Sequence, residues 1–548
     1  MGRAFSNSYL AGEPAAHAFF APVFREPARR IDRARNAAKR GVAPALVRAL
    51  RDQQAEWGAS VAGQANLEAL ASGNAAVVVT GQQVGLFLGP LYAFYKAASA
   101  IAIARAIEKE SGVRCVPVFW LQSEDHDFEE IRSCKVAGTD GAPVVLSLPD
   151  ELDGQGRASV AHRILPTDVT SLLSALAQHL PAGPAADETL ALLRKHYRPG
   201  AGIVASFAGA MASVFADDGL LLLDPRDSRI AELATPVYRR CLDDCGSIEQ
   251  MLHERSKALA DAGFSEQVSV RDGGALLFLH RDAVTGPRVR MLQGQNGQNG
   301  LSGTEWLLAG SHNTASAAEV DRLLAREPLR FSTSALLRPI VQDTLLPTVG
   351  YVGGPGEINY FAQVQPLYAH FGLEPPLLFP RARFRLLDVH TRRRLAQLQV
   401  AANDLCLPTD QLLSRLAAPS QATTSPARLR ETVERQILPG VDELVATVGA
   451  QADPGLQKLA KRTRERVVYR LDRLLARYAR VLAEKDTTTM QRLQRLQWTL
   501  CPDGIPQERF YSWPWLAGQV GISAARRLVL DHLAAHGPFV TDLQDLEP

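Results

Sequence analysis

The feature that most constrains the fold is a series of short, continuous apolar runs in roughly the first 380 residues. They span residues 75–80, 114–122, 219–225 and 274–280, each bounded by turn residues and separated from the next by helical patterns. A run without polar alternation suits a strand that is buried on both faces, as in a parallel sheet. The sequence therefore predicts an α/β fold built on a parallel-sheet core.

The stretch VVVTGQQVGLFLGPLYAFYKAASA, which begins at Val77, predicts the first unit of that core. A β-branched run leads into a turn of Gly and Gln, and a helix follows from Pro90 to Gly112. Proline suits a helix start, where its missing N–H would have no partner anyway. Strand, turn, helix and strand make one right-handed βαβ unit, so the first unit is expected to be Rossmann-like.

The turn itself is a candidate ligand site. A Gly-rich turn before a helix offers N–H groups and a favourable dipole to anions, and glutamines can donate to and accept from a ribose, an amide or a carboxylate. On the helix, Lys96 shares a face with Tyr92 and would reach an anion held at the turn. The alternative is a tight turn that only packs the helix on the sheet. The candidate binding residues here are Thr80, Gly81, Gln82, Gln83, Gly85, Gly89 and Tyr92, with Lys96 as a catalytic candidate.

A second candidate, WLQSEDHDFEE, follows the next strand. Ligands of open parallel sheets bind beyond the carboxyl ends of the strands, so Glu124, Asp125, His126 and Asp127 should lie beside the first turn. Three carboxylates around one imidazole predict a group for proton transfer or metal binding, with His126 as the base. The alternative is a solvated acidic helix start, because carboxylates also favour helix N-termini.

The third candidate lies between Ser334 and Phe361, where another Gly-rich turn leads into a helix. Its polar groups are predicted to bind substrate or nucleotide, and Arg338 to clamp a carboxylate. The alternative is a turn that only closes a loop. The candidates are Arg338, Gly353, Gly354, Gly356, Glu357, Asn359 and Tyr360, and all three segments are expected to line one cleft at the carboxyl edge of the sheet.

The texture changes after Arg383, where strand signals give way to Arg, Leu, Gln and Ala. A heptad seam runs through Val467, Leu471, Leu474, Tyr478 and Val481. A second helical pattern through Leu386, Leu395 and Leu398, joined to it near residues 418–426, predicts an antiparallel arm. That arm either folds only on itself or also joins two subunits. The predicted domains are a core at 1–385 with insertions at roughly 140–215 and 245–330, the arm at 386–500, and a segment at 501–548 that returns to the core.

Composition narrows the function classes. Sixty Lys and Arg against 58 Asp and Glu leave a net charge of +2, which gives no support to a nucleic-acid binder. Six cysteines are too few for a disulfide scaffold and fit a reducing cytoplasm, and Cys241 and Cys245 lack a second ligand pair for zinc. No window approaches the roughly 18 apolar residues of a membrane span. A cytoplasmic protein without membrane or nucleic-acid partners is expected.

Five segments together resemble one family. TGQQVGLFLGPLYAFYKAASAI, PVFWLQSEDHDFEEI, LLRPIVQDTLLPTVGYVGGPGEINYFAQ, LFPRARF and CPDGIPQERFY are similar to the bacillithiol-biosynthesis family BshC, whose members are called cysteine ligases. The resemblance covers essentially the whole chain. It implies a Rossmann-like core related to class I nucleotidyltransferase-type enzymes and a coiled-coil arm used in homodimers. It also implies amide formation between L-cysteine and the amino group of glucosaminyl-malate, which completes bacillithiol.

An amide ligase must activate a carboxylate, so ATP or another nucleotide with Mg²⁺ is expected as cofactor. Related ligases carry an HxGH element after the first strand, whereas the segment from Gly81 to Pro90 holds no histidine. His126 is the nearest substitute. Two rival readings remain: a metal-dependent hydrolase or transferase centred on Asp125, His126 and Asp127, and a non-catalytic scaffold whose coiled-coil arm is its function.

Overall fold

The computed structural model describes residues 2–21, 23–150, 158–293, 305–308, 314–408, 412, 426–450, 453–483 and 487–548. They form two compact units. The first consists of Met1–Val136, Val145–Phe384 and Tyr511–Gln544, and the second of Ala137–Val144, Arg385–Phe510 and Asp545–Pro548.

The strands are numbered in chain order. They are β1 (Ala75–Gln82), β2 (Arg114–Leu121), β3 (Ser133–Ala137), β4 (Pro143–Ser147), β5 (Leu221–Leu223), β6 (Gly274–His280), β7 (Arg288–Gln293), β8 (Glu305–Leu308), β9 (Thr314–Ser316), β10 (Phe331–Thr333), β11 (Thr348–Gly353), β12 (Leu377–Pro380), β13 (Arg383–Leu386) and β14 (Leu543–Leu546).

The α-helices of the first unit are Phe5–Ala11, Pro14–His17, Pro27–Ala38, Pro44–Trp57, Val61–Ala71, Leu91–Ser111, Phe128–Ile131, Asp168–His179, Pro184–His196, Ile203–Val214, Ser228–Asp243, Cys245–Asp261, Ala317–Arg326, Arg338–Leu345, Pro355–His370, Trp513–Val520 and Ile522–His536. Those of the second are Val389–Leu398, Pro426–Thr432, Leu438–Gly449, Pro454–Ala483, Thr487–Leu500 and Gln507–Phe510, with a π-helix at Val433–Ile437.

A five-stranded sheet in the order β12-β11-β1-β2-β5 forms the centre of the first unit. Each of its neighbouring pairs is parallel. The chain builds outward from β1 through β2 to β5, then returns to the other side of β1 with β11 and β12. This is the doubly wound order, and its switch point lies between β1 and β11. The α/β prediction is confirmed, and the first three apolar runs are β1, β2 and β5.

The prediction that the fourth apolar run, residues 274–280, joins the parallel sheet is wrong. That run is β6 of a second, antiparallel sheet in the order β10-β6-β7-β8-β9. Leu276 and Leu277 point to opposite faces of the strand, and both are buried. A continuous apolar run therefore reports burial on two faces, and this strand meets that condition within an antiparallel sheet.

The C-terminal segment, predicted to return to the core, contributes Tyr511–Gln544 to the first unit. Backbone hydrogen bonds hold it beside the first Gly-rich turn: Leu91 N–H donates to the Tyr511 carbonyl at 2.8 Å, and Trp513 N–H to the Gly89 carbonyl at 2.9 Å. The Leu91–Ser111 helix begins one residue after Pro90 and ends at Gly112, which has a φ of 70°.

The second unit contains an antiparallel helical hairpin, but not between the predicted segments. Helix Leu438–Gly449 packs on Pro454–Ala483, and Arg464 Nε lies 2.5 Å from Asp442 Oδ1 between them. The segment around Leu395 instead packs in helix Val389–Leu398 on helix Thr487–Leu500. Pro454 starts the return helix, and residues 418–425 of the predicted connection lie outside the described residues.

The predicted heptad seam is enclosed only in part. Val467, Leu471 and Tyr478 are half-buried, but Leu474 is 65% and Val481 47% exposed, and Leu475, at 5% exposed, is buried in place of Leu474. Leu474 and Leu475 are adjacent apolar residues, so periodicity alone does not decide which of them faces the hairpin partner.

Two of the six cysteines, expected from the sequence to be reduced, are joined in a disulfide between Cys406 and Cys501. Among the described residues, no helix is both long enough and apolar enough to pass through a lipid bilayer.

Candidate active site

The structure brings the three candidate segments together at the carboxyl edge of the parallel sheet. They follow β1, β2 and β11, which are neighbours in the order β11-β1-β2. Gln83 Nε2 donates to Asp125 Oδ2 at 2.8 Å, which ties the first segment to the second. Lys96 Nζ lies 2.5 Å from Glu357 Oε2, which ties the first to the third. The three segments thus surround the sheet's switch point, where ligands of this fold bind.

The glycines of the first turn are explained by close backbone packing. A Cβ on Gly85 would lie 2.7 Å from the Cα of Gly89, and Gly89 itself has a φ of +64°. A Cβ on Gly81 would lie 2.8 Å from the Trp120 carbonyl oxygen, and the Thr80 hydroxyl donates to a β11 carbonyl at 2.9 Å. At these positions the structure supports the packing alternative over backbone approach to a ligand.

The prediction that Lys96 reaches a ligand anion held at the turn does not match the structure, because the ammonium group is enclosed by protein acceptors. Lys96 Nζ lies 2.7 Å from the Gly81 carbonyl oxygen, 2.8 Å from Gln82 Oε1 and 2.5 Å from Glu357 Oε2. An ammonium group has three hydrogens, and these three acceptors take all of them. Lys96 therefore joins the end of β1 to the helix Pro355–His370.

Glu357 has a matching set of donors. Gly354 N–H donates to Oε2 at 2.8 Å, and the Tyr351 hydroxyl donates to Oε1. Burial alone would raise the pKa of this carboxyl, but Lys96 and these donors hold it below its ordinary value. The side chain is thus a buried carboxylate that holds the backbone of the third turn.

Arg338 and Asn359 are also engaged within the protein. The two terminal nitrogens of Arg338 donate to the Tyr360 hydroxyl and to Gln342 Oε1, each at 2.6 Å. Asn359 Nδ2 donates to Gln267 Oε1 at 2.9 Å. Arg338 is therefore not placed to clamp a substrate carboxylate. The third segment supplies mainly the buried framework of the site.

Only part of the predicted set is accessible to solvent. Gln82 and Tyr92 are half-buried and hydrogen-bonded to each other at 3.1 Å, and Gly356 is exposed at its helix N-terminus. Asp125 and His126 are also half-buried. Nδ1 of His126 lies 3.3 Å from Asp125 Oδ1, at ion-pair distance but without hydrogen-bond alignment.

Asp127 has a structural role as the N-cap of the short helix Phe128–Ile131. Its Oδ1 accepts a hydrogen bond from Glu130 N–H at 3.3 Å. For this carboxylate the helix-start alternative holds. Asp125 is therefore the carboxylate that contacts the imidazole of His126.

Two residues outside the predicted set, both on the antiparallel sheet, contact the second segment. Arg288, on β7, places Nη1 3.3 Å from Asp125 Oδ1, and its guanidinium lies 3.8 Å above the Phe278 ring. Thr333, on β10, donates its hydroxyl to Glu124 Oε2 at 2.6 Å. No local motif marks either residue, because both come from strands distant in sequence.

The guanidinium of Arg288 is held by two hydrogen bonds in addition to its contact with the Asp125 carboxylate. Its Nε donates to Ser332 Oγ at 3.0 Å and its Nη2 to the Thr333 carbonyl at 2.6 Å. Burial would raise the pKa of Asp125, but contacts with His126 and Arg288 lower it below its ordinary value. Asp125 thus stays ionised beside Nδ1 of His126, and a carboxylate next to an imidazole is an arrangement that can support proton transfer.

We expect Arg288→Met to lower the kcat/KM of the reaction catalysed at this site by about ten- to hundredfold. The change removes the hydrogen bond to the Asp125 carboxylate, and a hydrogen bond to a charged group contributes about 1.5–3 kcal/mol. Steady-state kinetics with a folding check by circular dichroism would measure this. Arg290→Met is the matched control, because Arg290 lies on the same strand and over the same Phe278 ring, at 5.1 Å. Equal losses in the two variants would assign Arg288 to packing alone.

The acidic second segment does not form a metal site by itself. In the described part of the chain, the group of three metal-ligating side chains within reach of one ion is Glu249, His253 and Asp272. That group includes none of the predicted site residues, and exposed acidic groups of this kind are common without an ion. The rival reading of a metal centre on Asp125, His126 and Asp127 therefore lacks a convergent ligand set.

Comparison with known proteins covers nearly the whole chain. The model of the bacillithiol-biosynthesis BshC N-terminal Rossmann-like domain matches residues 2–382, and that of the BshC C-terminal coiled-coil domain matches residues 384–537. A Koribacter versatilis protein named "Putative cysteine ligase BshC" is 33% identical over 496 residues, which is 89% of this chain and 88% of that protein. A protein of the same name from Salinibacter ruber is 30% identical over 490 residues, or 88% and 85%. With both domains matched in order, the chain belongs to the BshC family of bacillithiol-biosynthesis proteins.

Proposed function

We propose that this protein is a cysteine ligase that joins the carboxylate of L-cysteine to the amino group of glucosaminyl-malate through an amide bond, the last step of bacillithiol synthesis. Family membership supports the reaction class. The observation that carries the proposal is the His126–Asp125 pair at the switch point of a doubly wound sheet, with Arg288 also in contact with Asp125.

The pair fits the proton transfer that amide formation needs. The acceptor's ammonium group must lose a proton before its nitrogen can attack an activated carboxyl carbon. A neutral imidazole within hydrogen-bond reach can take that proton, and Asp125 stabilises the imidazolium that results. Gln83, bound to Asp125 at 2.8 Å, limits the rotation of the carboxylate that lies beside the imidazole.

The switch point offers a place for the phosphates of the expected nucleotide. Helix Pro355–His370 begins there, and helix N-termini bind phosphate through unpaired N–H groups and the helix dipole. Gly356 in its first turn is exposed, and the nearest atom to a Cβ built on it, in Gln267, lies 3.8 Å away. The backbone of this turn is thus open to a ligand.

The charge near the switch point also suits phosphate. Lys96, Arg338 and Arg381 are buried near one another, with the carboxyl groups of Glu357 and Asp343 beside them. The remaining positive charge would act on a phosphate through low-dielectric surroundings, although Lys96 gives its hydrogens to protein acceptors. These residues fit the phosphates of a nucleotide, which when bound would supply activation of the cysteine carboxylate.

Mg²⁺ fits only in the manner usual for nucleotide sites. The ion keeps several waters and takes one or two protein carboxylates together with the phosphates. Of the three carboxylates around His126, Asp125 and Asp127 remain accessible, whereas Glu124 is buried. ATP with Mg²⁺ is therefore our proposed cofactor, with phosphate contacts at the turn of Gly356.

Nucleotide consumption tests the proposal against its rivals. We expect consumption to require both L-cysteine and glucosaminyl-malate, and to stop when Mg²⁺ is chelated. Turnover without nucleotide that depends on a tightly bound metal would favour the hydrolase or transferase. Absence of turnover with every purine and pyrimidine triphosphate would favour the scaffold.

We also propose that the hairpin joins two copies of the chain. Large apolar side chains remain exposed on its two helices, namely Leu444, Leu459, Tyr469, Leu474 and Val481. Apolar groups concentrated on one element mark a surface that another protein covers. A second copy offers the same apolar side chains, which suits the isologous contact of a homodimer.

Sedimentation velocity tests the dimer. We expect the native protein to sediment as a dimer and the double variant Leu444→Asp, Leu474→Asp as a monomer, because the new charges would be buried at the contact. Val389→Asp, at an exposed apolar residue outside the hairpin, should stay dimeric. A native monomer, or a dimeric double variant, would remove the hairpin as the subunit contact.

A further inference from the structure

The disulfide of the second unit is asymmetric in its surroundings. Cys406 ends a 3₁₀ turn, Ala402–Cys406, and is exposed to solvent. Cys501 follows the helix Thr487–Leu500, is 1% exposed, and belongs to a cluster of buried apolar residues. One half-cystine therefore faces solvent while the other lies in the hydrophobic core of the unit.

The remaining cysteines are unsuited to thiol chemistry. All four are buried thiols. Burial raises the pKa of Cys115, Cys134 and Cys241 to about 12 and that of Cys245 to about 11. The thiolate is the reactive form of cysteine, so these groups are inert at neutral pH. Among the cysteines, the Cys406–Cys501 disulfide is therefore the group that remains open to thiol exchange.

We propose that Cys406–Cys501 is a thiol-exchange site for low-molecular-weight thiols, which attack the exposed sulfur of Cys406. A thiolate RS⁻ forms a new S–S bond to Cys406 while the Cys406–Cys501 bond breaks, and Cys501 leaves as a thiolate that takes up a proton. A second thiolate then releases RSSR and leaves Cys406 reduced. Two thiols are oxidised to one disulfide, and one protein disulfide is reduced.

The surroundings favour this direction of attack. An exchange reaction needs access for the incoming thiolate along the S–S axis, and only Cys406 lies at the surface. Cys501, once protonated, is a small apolar group that suits its neighbours Leu405, Leu496 and Leu500. The mixed disulfide therefore forms on Cys406 and leaves the apolar cluster intact.

Exchange would act on the hairpin. The two cysteines are 95 residues apart in sequence, and both hairpin helices lie between them. A covalent bridge at the ends of such a long loop lowers the conformational entropy of the unfolded chain. Opening the bridge therefore lowers the free energy of unfolding of the segment that it closes. The thiol state of the surroundings would thus set the stability of the hairpin.

Cystine, the disulfide of L-cysteine, provides the test in the full-length chain, with two variants that lack the bridge equally. In Cys501→Ser, Cys406 has no resolving partner, so we expect a stable cysteine adduct on Cys406 by peptide mass mapping. In Cys406→Ser, the buried Cys501 should react at least about tenfold more slowly, because it is inaccessible. Equal rates, or faster labelling of Cys501, would overturn the proposal.

A second measurement uses the native protein, so that it does not depend on the folding of either variant. Across buffers of increasing cysteine-to-cystine ratio, we expect the Cys406–Cys501 peptide to pass through a mixed disulfide on Cys406 to two free thiols. A bridge that stays closed in excess cysteine, or free thiols that cystine never oxidises, would contradict it. Neither measurement requires ligase activity, so the two proposals fail independently.

Discussion

His126→Asn is expected to lower kcat of amide formation by about a hundred- to ten-thousand-fold, the range for loss of a general base. Asparagine is polar and of similar size, and the backbone N–H of residue 126 keeps its hydrogen bond to Asp125 Oδ1, but the amide side chain cannot accept and carry a proton. The side chain of His126 is 35% exposed, so the change should leave the fold intact. Steady-state assays with saturating substrates would measure kcat, and nucleotide binding would be measured alongside by calorimetry.

His253→Asn is the control for this effect, since His253 is a surface histidine paired with Asp272 at 3.1 Å. We expect it to retain native turnover. If His126→Asn kept more than about a tenth of native kcat, that loss would fall short of the range for a general base. His126 would then serve in binding, and another group would take the proton.

Glu357→Gln is expected to destabilise the first unit by about 3–5 kcal/mol, the usual cost of removing one partner of a buried ion pair. The substitution keeps the shape of the side chain but leaves the ammonium of Lys96, 3% exposed, without a counter-charge. Urea unfolding followed by tryptophan fluorescence would measure the loss.

The matched control is Asp321→Asn, which makes the same chemical change in an exposed ion pair with Arg239. Exposed pairs contribute about 0–1 kcal/mol, so little change is expected. Similar small losses in both variants would contradict the central position that we assign to the Lys96–Glu357 pair. A double variant, Lys96→Met with Glu357→Gln, should recover part of the loss because no buried charge remains unpaired.

The parallel core was predictable because its determinants are local. β1, the Gly-rich turn and the Leu91–Ser111 helix each carry their own pattern within about 35 residues of sequence. Strand ends of a parallel sheet share one edge, which is why the polar segments after β1, β2 and β11 were expected together. Their spatial neighbourhood followed from topology alone.

The use of each side chain was not predictable in the same way. Lys96 had the spacing to reach the turn, but three acceptors from two other elements consume its hydrogens. Arg288 had no local signal, because its partner Asp125 is 163 residues away. Hydrogen-bond saturation and distant pairing depend on tertiary packing, which periodicity and spacing do not encode.

The same limit explains the misplaced strand and seam. The apolar run at residues 274–280 indicates burial on both faces, but it does not indicate whether the strand pairs in a parallel or an antiparallel direction. Leu474 and Leu475 differ by about 100° around the helix, and a period of 3.5 tolerates either at the seam. In both cases the deciding contacts come from elements elsewhere in the chain.

The most direct test of the central claim is identification of the amide bond itself. The full-length protein would be incubated with ¹³C-carboxyl-labelled L-cysteine, ¹⁵N-amino-labelled glucosaminyl-malate, ATP and Mg²⁺, and the products analysed by mass spectrometry and NMR. We predict a thiol product with a ¹³C–¹⁵N bond, formed in proportion to the nucleotide consumed and nearly absent with His126→Asn. Consumption of nucleotide without that bond, or no product at any substrate concentration, would contradict the assignment of the switch point of this sheet as a cysteine ligase site.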